Sequence, residues 1–407
     1  VRLAWAATPT ANTTVNAGQI VNIASGGDTT VRGATVSGSR INAQVGGNLH
    51  IETLQDTSTY HSENSGSSFS GSFCIYMCSG GSVSIGAHNM QGDGDFASAT
   101  QQSGFLAGSG GFGVNVAGNT NLIGGVISST DTAVTGGRNS FSTGSLTMTD
   151  LQNHDTFQGS GYSVSVSTSG SGGLGVGSSD VNQSSTTQSG ISGIAGNTGV
   201  RTGVDGTNAL RQTNFDRAMR DVGAQVQLTA QFGSQASRAA GSYADGKFRE
   251  ASDNGDAEGM RLWGPGGAYR AAIHGGVGAL TGGGGGAAGA VAASLSITEI
   301  GGVIYGLHLP EAVAQGLTQA VALAIGGAVG GTAGAAGSFN EASNNSINLL
   351  MRIGQISTQF LQQGWNALTA DAQALAVMCA QSRACSALLT TSMMLAINTS
   401  QVRAPEP

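Results

Sequence analysis

Residues 27 to 66 read GDTTVRGATVSGSRINAQVGGNLHIETLQDTSTYHSENSG, and their apolar positions keep a beat of two. Leu49, Ile51 and Thr53 fall on one side of an extended chain, and His50 and Glu52 on the other. That period is the period of a strand, whose successive side chains point to opposite faces. The runs are about four to six residues long, bounded by Gly, Asn, Asp and Ser. Each therefore buries two or three side chains and is too small to stand alone.

The beat returns about 90 residues later. GGDTTVRGATVSG (26–38) aligns with AGNTNLIGGVISS (117–129), matching Val31 to Leu122 and Val36 to Ile127. GGNLHIETLQDTSTYHSENSGSSFSGS (46–72) aligns with STGSLTMTDLQNHDTFQGSGYSVSV (142–166), matching Leu49 to Leu146, Ile51 to Met148 and Leu54 to Leu151. Short strands that recur as whole modules predict a solenoid, each coil stacked on the next around a continuous Val/Ile/Leu core. A β-sandwich uses the same short strands, and the recurrence of modules is what favours the solenoid. Residues 167 to 195 are Gly/Ser-rich and read as a break or a long surface excursion. Gly108, Gly110 and Gly113 satisfy the dinucleotide-binding spacing, but no capped helix follows and chance matches abound in so glycine-rich a chain.

Near residue 207 the period lengthens. Leu210, Phe215, Met219, Val222, Val226 and Leu228 recur at about three and four, which predicts one or two amphipathic helices beginning near Thr207 as cap. Two Gly/Ala stretches follow, with no Lys, Arg, Asp or Glu from Ala271 to Ile297 or from Ala312 to Asn340. Each is long enough as a helix to span about 30 Å of hydrocarbon. Gly278, Gly282 and Gly286 are spaced by four, as are Gly326, Gly330 and Gly334, the small-residue spacing that lets two helix backbones approach closely. A hairpin that enters a membrane, soluble Gly/Ala packing and a flexible spacer all fit this composition. His274 stands one helical turn after Arg270, where it reads either as an interfacial histidine or as a pH-sensitive latch.

Composition changes the picture mainly by exclusion. Of 407 residues 68 are Gly and 10% are charged, with net charge −7 and Lys247 the only lysine. A nucleic-acid-binding face is not expected from that balance. Cys74/Cys78 and Cys379/Cys385 form close pairs without the spacing of a zinc site, so no metal or cofactor is expected. Residues 346 to 407 read as an apolar helical tail in which Asp371 is the only acid between Glu341 and Glu406, and the tail has no His. Acid–base catalysis needs a positioned group of suitable pKa, so no enzyme is expected there. The chain opens VRLAWAATPT, without Met or signal-peptide regions, and reads as the carboxyl-terminal part of a longer reading frame.

GGDTTVRGATVSGSRI followed by GGNLHIETLQDT resembles the repeats of filamentous haemagglutinin and of contact-dependent growth-inhibition effectors, over roughly residues 15 to 185. Trp263, Arg270 and His274, set among glycines before the Gly/Ala stretches, resemble the pre-toxin region of those effectors. Asn340, Glu341, Asn344 and Asn345 stand where that family carries a short Asn-rich boundary motif, although the wording departs from it. The resemblance implies a right-handed parallel β-helix over 1–195, then an amphipathic helical linker (196–262), a pre-toxin helical hairpin (263–345) and a tail or cargo (346–407). It also implies export through an outer-membrane transporter partner, a target-cell surface receptor, membrane insertion during delivery, and an immunity protein. The implied role is cell contact, adhesion and toxin delivery by a secreted surface protein of a Gram-negative bacterium; the alternatives are an adhesin whose helical carboxyl-terminal part is inert, and a membrane-active or enzymatic toxin in the last 60 residues.

Overall fold

The structure is a computed structural model that describes residues 2–72, 82–167, 172–202, 206–306 and 311–343. The chain divides into two compact units, each assembled from separate stretches. Val1–Glu63, Gly92–Gly159 and Ser179–Met219 form the first, and Asn64–Gln91, Ser160–Ser178 and Arg220–Pro407 the second.

The first unit contains the repeats. Short strands β4 (Thr29–Arg32), β6 (Leu49–Glu52), β10 (Thr120–Ile123) and β13 (Leu146–Thr149) pair side by side and in parallel. Their register places Val31, Ile51, Leu122 and Met148 in one row and Thr29, Leu49, Thr120 and Leu146 in the next. The matched pairs Val31/Leu122, Leu49/Leu146 and Ile51/Met148 thus stand in the same rows, as stacking of successive coils requires.

A second sheet comprises β2 (Thr13–Asn16), β3 (Ile20–Ser25), β5 (Ala34–Val45), β9 (Gly104–Val116), β11 (Val126–Ser129), β12 (Ser140–Ser142), β16 (Gly190–Ile191) and β17 (Ala195–Gly196). All its pairings are parallel except β16 with β17. Val15, Val36, Phe105, Ile127 and Ile191 make one row across it. One core joins rows from these two sheets, with Ile41, Leu49, Ile51, Phe105, Phe112, Leu122, Ile127 and Ile191 all fully buried. Leu49, Ile51 and Thr53 point inward, while His50 and Glu52 stay half-exposed, the alternation the sequence predicts.

The turns stack as regularly as the strands. The amide of Gly47 bonds the carbonyl of Gly27, Gly118 that of Gly47, and Gly144 that of Gly118. Beside them the carboxylate of Asp28 accepts from the Asn48 amide (2.7 Å), the Asn48 side chain accepts from the Asn119 amide (2.9 Å), and Ser145 donates to the Asn119 side chain (2.7 Å). A short helix, α1 (Asp131–Thr135), lies between β11 and β12.

A third sheet departs from the expectation of uniformly short strands. Its order is β1 (Arg2–Thr8), β7 (Asp56–Ser72), β8 (Ser82–Ser98), β14 (Leu151–Ser167) and β15 (Gly172–Thr187), and β1 runs antiparallel to β7. Four of its strands are 16 or 17 residues long. The architecture is therefore a mixed one, with parallel stacks and the antiparallel pairings β1–β7 and β16–β17. The Gly/Ser-rich stretch read as a break is largely strand β15. Its polar residues are small enough for a pleated surface, and hydrogen bonding to a neighbour stands in for a hydrophobic run.

The long helix α2 (Phe215–Asp253) begins eight residues later than its predicted cap. Thr207 is buried and its carbonyl accepts from Asn153 and Thr187, so it ends a loop. Asn214 caps the helix instead, its side chain accepting from the Arg217 amide at 2.8 Å. Phe215, Val222 and Val226 are buried, but Leu228 is 65% exposed because a step of two from Val226 leaves the helical stripe. In the first unit Phe215 closes an aromatic cluster with Tyr60, Phe96 and Phe157, stacked on Phe157 at 5.8 Å.

The second unit holds the rest of α2 together with α3 (Ala257–Trp263), α4 (Ala268–Gly306) and α5 (Glu311–Glu341). Beside α2, Gly175 and Gly177 of β15 face helix backbone directly: a Cβ on either would strike the carbonyl of Val226 or Val222. The glycines of LGVG thus let a helix lie against a strand without side chains between them.

Candidate functional site

The residues singled out for function gather in the second unit. Trp263 ends α3, and its ring meets Tyr243 (5.7 Å) and Tyr269 (5.2 Å) edge-on. Arg270, 3% exposed in the first turn of α4, donates to the Asp245 carboxylate of α2 at 2.9 Å and to the Trp263 carbonyl at 3.2 Å. This Trp/Arg pair fastens the turn between α3 and α4 onto α2. His274 is buried one turn further along. Desolvation, reinforced by the nearby Arg270 charge, pushes its imidazole down to about 3, so it is neutral at physiological pH.

The glycines form something other than stripes along straight helices. α4 bends at Gly282 (φ −149°, ψ 21°) and Gly283 (φ 58°, ψ −148°), and α5 bends at Gly330 (φ −139°, ψ 20°) and Gly331 (φ 61°, ψ −149°). Gly283 and Gly331 occupy the left-handed region, where a Cβ is unfavourable. Gly278 and Gly286, which on a straight helix would stand about 12 Å apart, touch across the first bend: a Cβ on either would strike the other's carbonyl. Gly326 and Gly334 touch in the same way across the second. Between the helices Gly285 and Gly330 make a similarly reciprocal contact. Gly278, Gly286, Gly326 and Gly334 thus pack on the inside of the two bends, while Gly282 and Gly330 belong to the bends themselves.

The five-glycine run from 282 to 286 suggests local flexibility and Gly283 falls in the pre-toxin resemblance, but neither the left-handed bends at Gly283 and Gly331 nor the repeat that signals them is among the expectations from sequence. Gly278, Gly282, Gly283, Gly286 and Gly289 recur as Gly326, Gly330, Gly331, Gly334 and Gly337. A constant offset of about 48 residues was the available signal.

Of the boundary residues, Asn340 and Glu341 are buried, and Asn344 and Asn345 lie outside the described residues. The Asn340 amide accepts from the Leu174 N–H at 3.0 Å and donates to the Leu174 carbonyl at 2.9 Å. It thus makes the two bonds a neighbouring strand would make. Two further α2 side chains serve the same edge of β15: Thr229 accepts from Val176 (2.9 Å) and Gln225 from Ser178 (3.1 Å). Phe339 and Ala336 of α5 pack on Leu174 beside this clasp.

A cleft of about 560 Å³ opens beside both bends, lined by Thr281, Gly282, Thr332 and Ala333 with Asn89 and Tyr162 from the strands. Among the described residues no carboxylate, guanidinium, ammonium or imidazole lines it. Among the described residues no three His, Cys, Asp or Glu side chains converge as metal ligands. One described helix stretch, Leu317–Glu341, is long and apolar enough to cross a bilayer by length and composition, its most apolar 18-residue window having mean hydropathy 1.5 and 28% of its residues buried. The 271–297 stretch does not meet that description. All four cysteines, and the whole of the tail read as cargo, lie outside the described residues.

Residues 6–67, which run from β1 through the first coils, match the family model of the hemagglutinin repeat. The repeat region is of the filamentous haemagglutinin and contact-dependent growth-inhibition kind. Curated relatives are alike over longer stretches than the family model. A toxin CdiA of Escherichia coli is 36% identical over 187 residues, covering 45% of this chain and 6% of its own length. A deoxyribonuclease CdiA of Dickeya dadantii is 40% identical over 146 residues, 36% of this chain and 4% of that protein. A tRNA nuclease CdiA of Yersinia mollaretii is 39% identical over 158 residues, 38% of this chain and 5% of that protein. The chain thus spans about a twentieth of the length of these relatives. No solved structure matches it.

Proposed function

We propose that this chain is part of a secreted, surface-displayed haemagglutinin-type protein that acts in cell contact and in delivery of a carboxyl-terminal toxin between competing bacteria. The observation that supports the reading is the parallel stack of Val31, Ile51, Leu122 and Met148, which begins in the matched hemagglutinin repeat (6–67) with Val31 and Ile51, in a chain that also carries a glycine-bent helical segment. Such stacking suits a rod, and we assign its winding to a right-handed parallel β-helix. In this reading residues 1–195 form the rod, 196–262 a helical connection, 263–345 the delivery segment, with α5 as the part that enters a membrane, and 346–407 the cargo or its remnant. An outer-membrane transporter, a target-cell receptor and an immunity protein are the partners this role requires. The nuclease activities named for the relatives belong to those proteins, and no reaction is assigned here.

The test is a competition assay with cells displaying the complete reading frame. Growth arrest of touching target cells, lost when residues 346–407 are deleted and prevented by a neighbouring immunity gene in the target, is the expected result. Cell binding without any growth arrest would select an adhesin instead. Neither binding nor arrest would defeat the proposal.

A further inference from the structure

The two bends share more than a sequence pattern. Their four dihedral angles agree to within about ten degrees, so the chain makes one uncommon turn twice, at Gly282–Gly283 and at Gly330–Gly331. At Gly283 and at Gly331 an added Cβ would meet nothing within 4 Å. Sterically the glycine is not needed at either place, and only the left-handed backbone calls for it.

The second bend falls inside the stretch best suited to a bilayer. Leu317–Glu341 has 25 residues, about 37 Å as one straight helix, which exceeds the hydrocarbon thickness of about 30 Å. Bent at Gly330–Gly331, it becomes arms of roughly 20 Å and 15 Å, neither of which crosses. The shorter arm is held back at three points: Gly334 lies on Gly326, Ser338 donates to the Ala322 carbonyl at 2.7 Å, and Asn340 clasps Leu174. Ala322 and Ala342 pack together at the far end of the fold-back.

We propose that the Gly330–Gly331 bend is a hinge that switches α5 between this folded-back form, which cannot cross a bilayer, and a straight helix that can, with Gly282–Gly283 as its counterpart in α4. The proposal rests on the delivery reading above. Straightening adds the missing helical hydrogen bonds at the bend and releases Asn340 from Leu174. A bilayer supplies the driving force, because the apolar face freed from the fold-back is taken up by lipid.

The test uses the full chain with Cys74, Cys78, Cys379 and Cys385 changed to Ser, carrying Ala322→Cys and Ala342→Cys. Copper phenanthroline forms the cross-link and dithiothreitol breaks it. Insertion is read as salt-resistant co-flotation with phosphatidylethanolamine/phosphatidylglycerol vesicles. The reduced protein should insert and the oxidised protein should not. In the uncross-linked background, Gly331→Ala should raise the inserted fraction roughly five- to tenfold, because alanine disfavours the left-handed backbone and nothing else changes around it. Equal insertion of oxidised and reduced protein, or no gain from Gly331→Ala, overturns the hinge and leaves the delivery reading standing. No insertion by any form overturns the hinge together with the membrane step of that reading.

Discussion

Single residues carry the repeat as clearly as whole strands do. Gly33 and Gly124 occupy matched positions of the two modules, both at φ +57°, and the matched leucines Leu54 and Leu151 cover them, so a Cβ would come within 2.5 Å and 2.6 Å of a leucine methyl. Gly33→Ala or Gly124→Ala should cost about 2 kcal/mol in chemical denaturation, part backbone and part collision. Gly137→Ala, at φ +61° with nothing within 4 Å, should cost about 1 kcal/mol because only the backbone part remains. Equal losses at the three sites would mean that the leucine cover contributes nothing. His274 makes a pH-dependent contribution of the opposite sign to the usual salt-bridged histidine. Its folded value of about 3 lies below its ordinary 6.5. As pH falls below 6.5 the unfolded chain gains a proton that the folded protein refuses, so stability declines down to about pH 3. The decline approaches about 1.4 kcal/mol per pH unit. Urea unfolding at pH 6.5 and pH 4.5 should show this loss, and His274→Leu should flatten it. A latch titrating between pH 5 and 8 in the folded protein, the other reading of this residue, is not what its surroundings produce.

At the scale of elements the most informative piece is the edge of β15. Sheet edges invite pairing with other chains, and here Asn340, Thr229 and Gln225 take up the amides of Leu174, Val176 and Ser178. Asn340→Leu should speed amide hydrogen exchange at Leu174 by about tenfold or more, with Val176 much less affected; unchanged exchange at Leu174 would show that the clasp is dispensable. The same elements show what the sequence discloses and what it withholds. The repeat strands were legible because Leu49, Ile51, Leu146 and Met148 alternate with polar residues, and only stacking satisfies such short runs. Strand β15 was not, because Gly173, Gly175 and Gly177 remove the apolar face that marks a strand; their role is close approach to α2, which is a tertiary fact. The start of α2 was misplaced since Thr207 and Asn214 are both acceptable caps, and the contacts of Thr207 in its loop decide between them.

Across the whole molecule a low charge and an abundance of glycine serve two different ends. In the repeats glycine sits at turns so that one coil can lie on the next. In the helical segment it sits at contacts so that backbones can touch. Composition alone suggested both an inert spacer and a membrane hairpin for that segment, and the bends offer a physical way for one chain to be stored compactly and used extended. Gly285 lies against Gly330 and Gly282 against Ala333, and under the offset of 48 residues each contact becomes the other when the two helices are exchanged. Such exchange of equivalent positions is the hallmark of two identical subunits meeting on a two-fold axis. A tandem duplication that fused two copies of an ancestral bent helix into one polypeptide would leave this signature, and α4 and α5 can be compared as descendants of a homodimer.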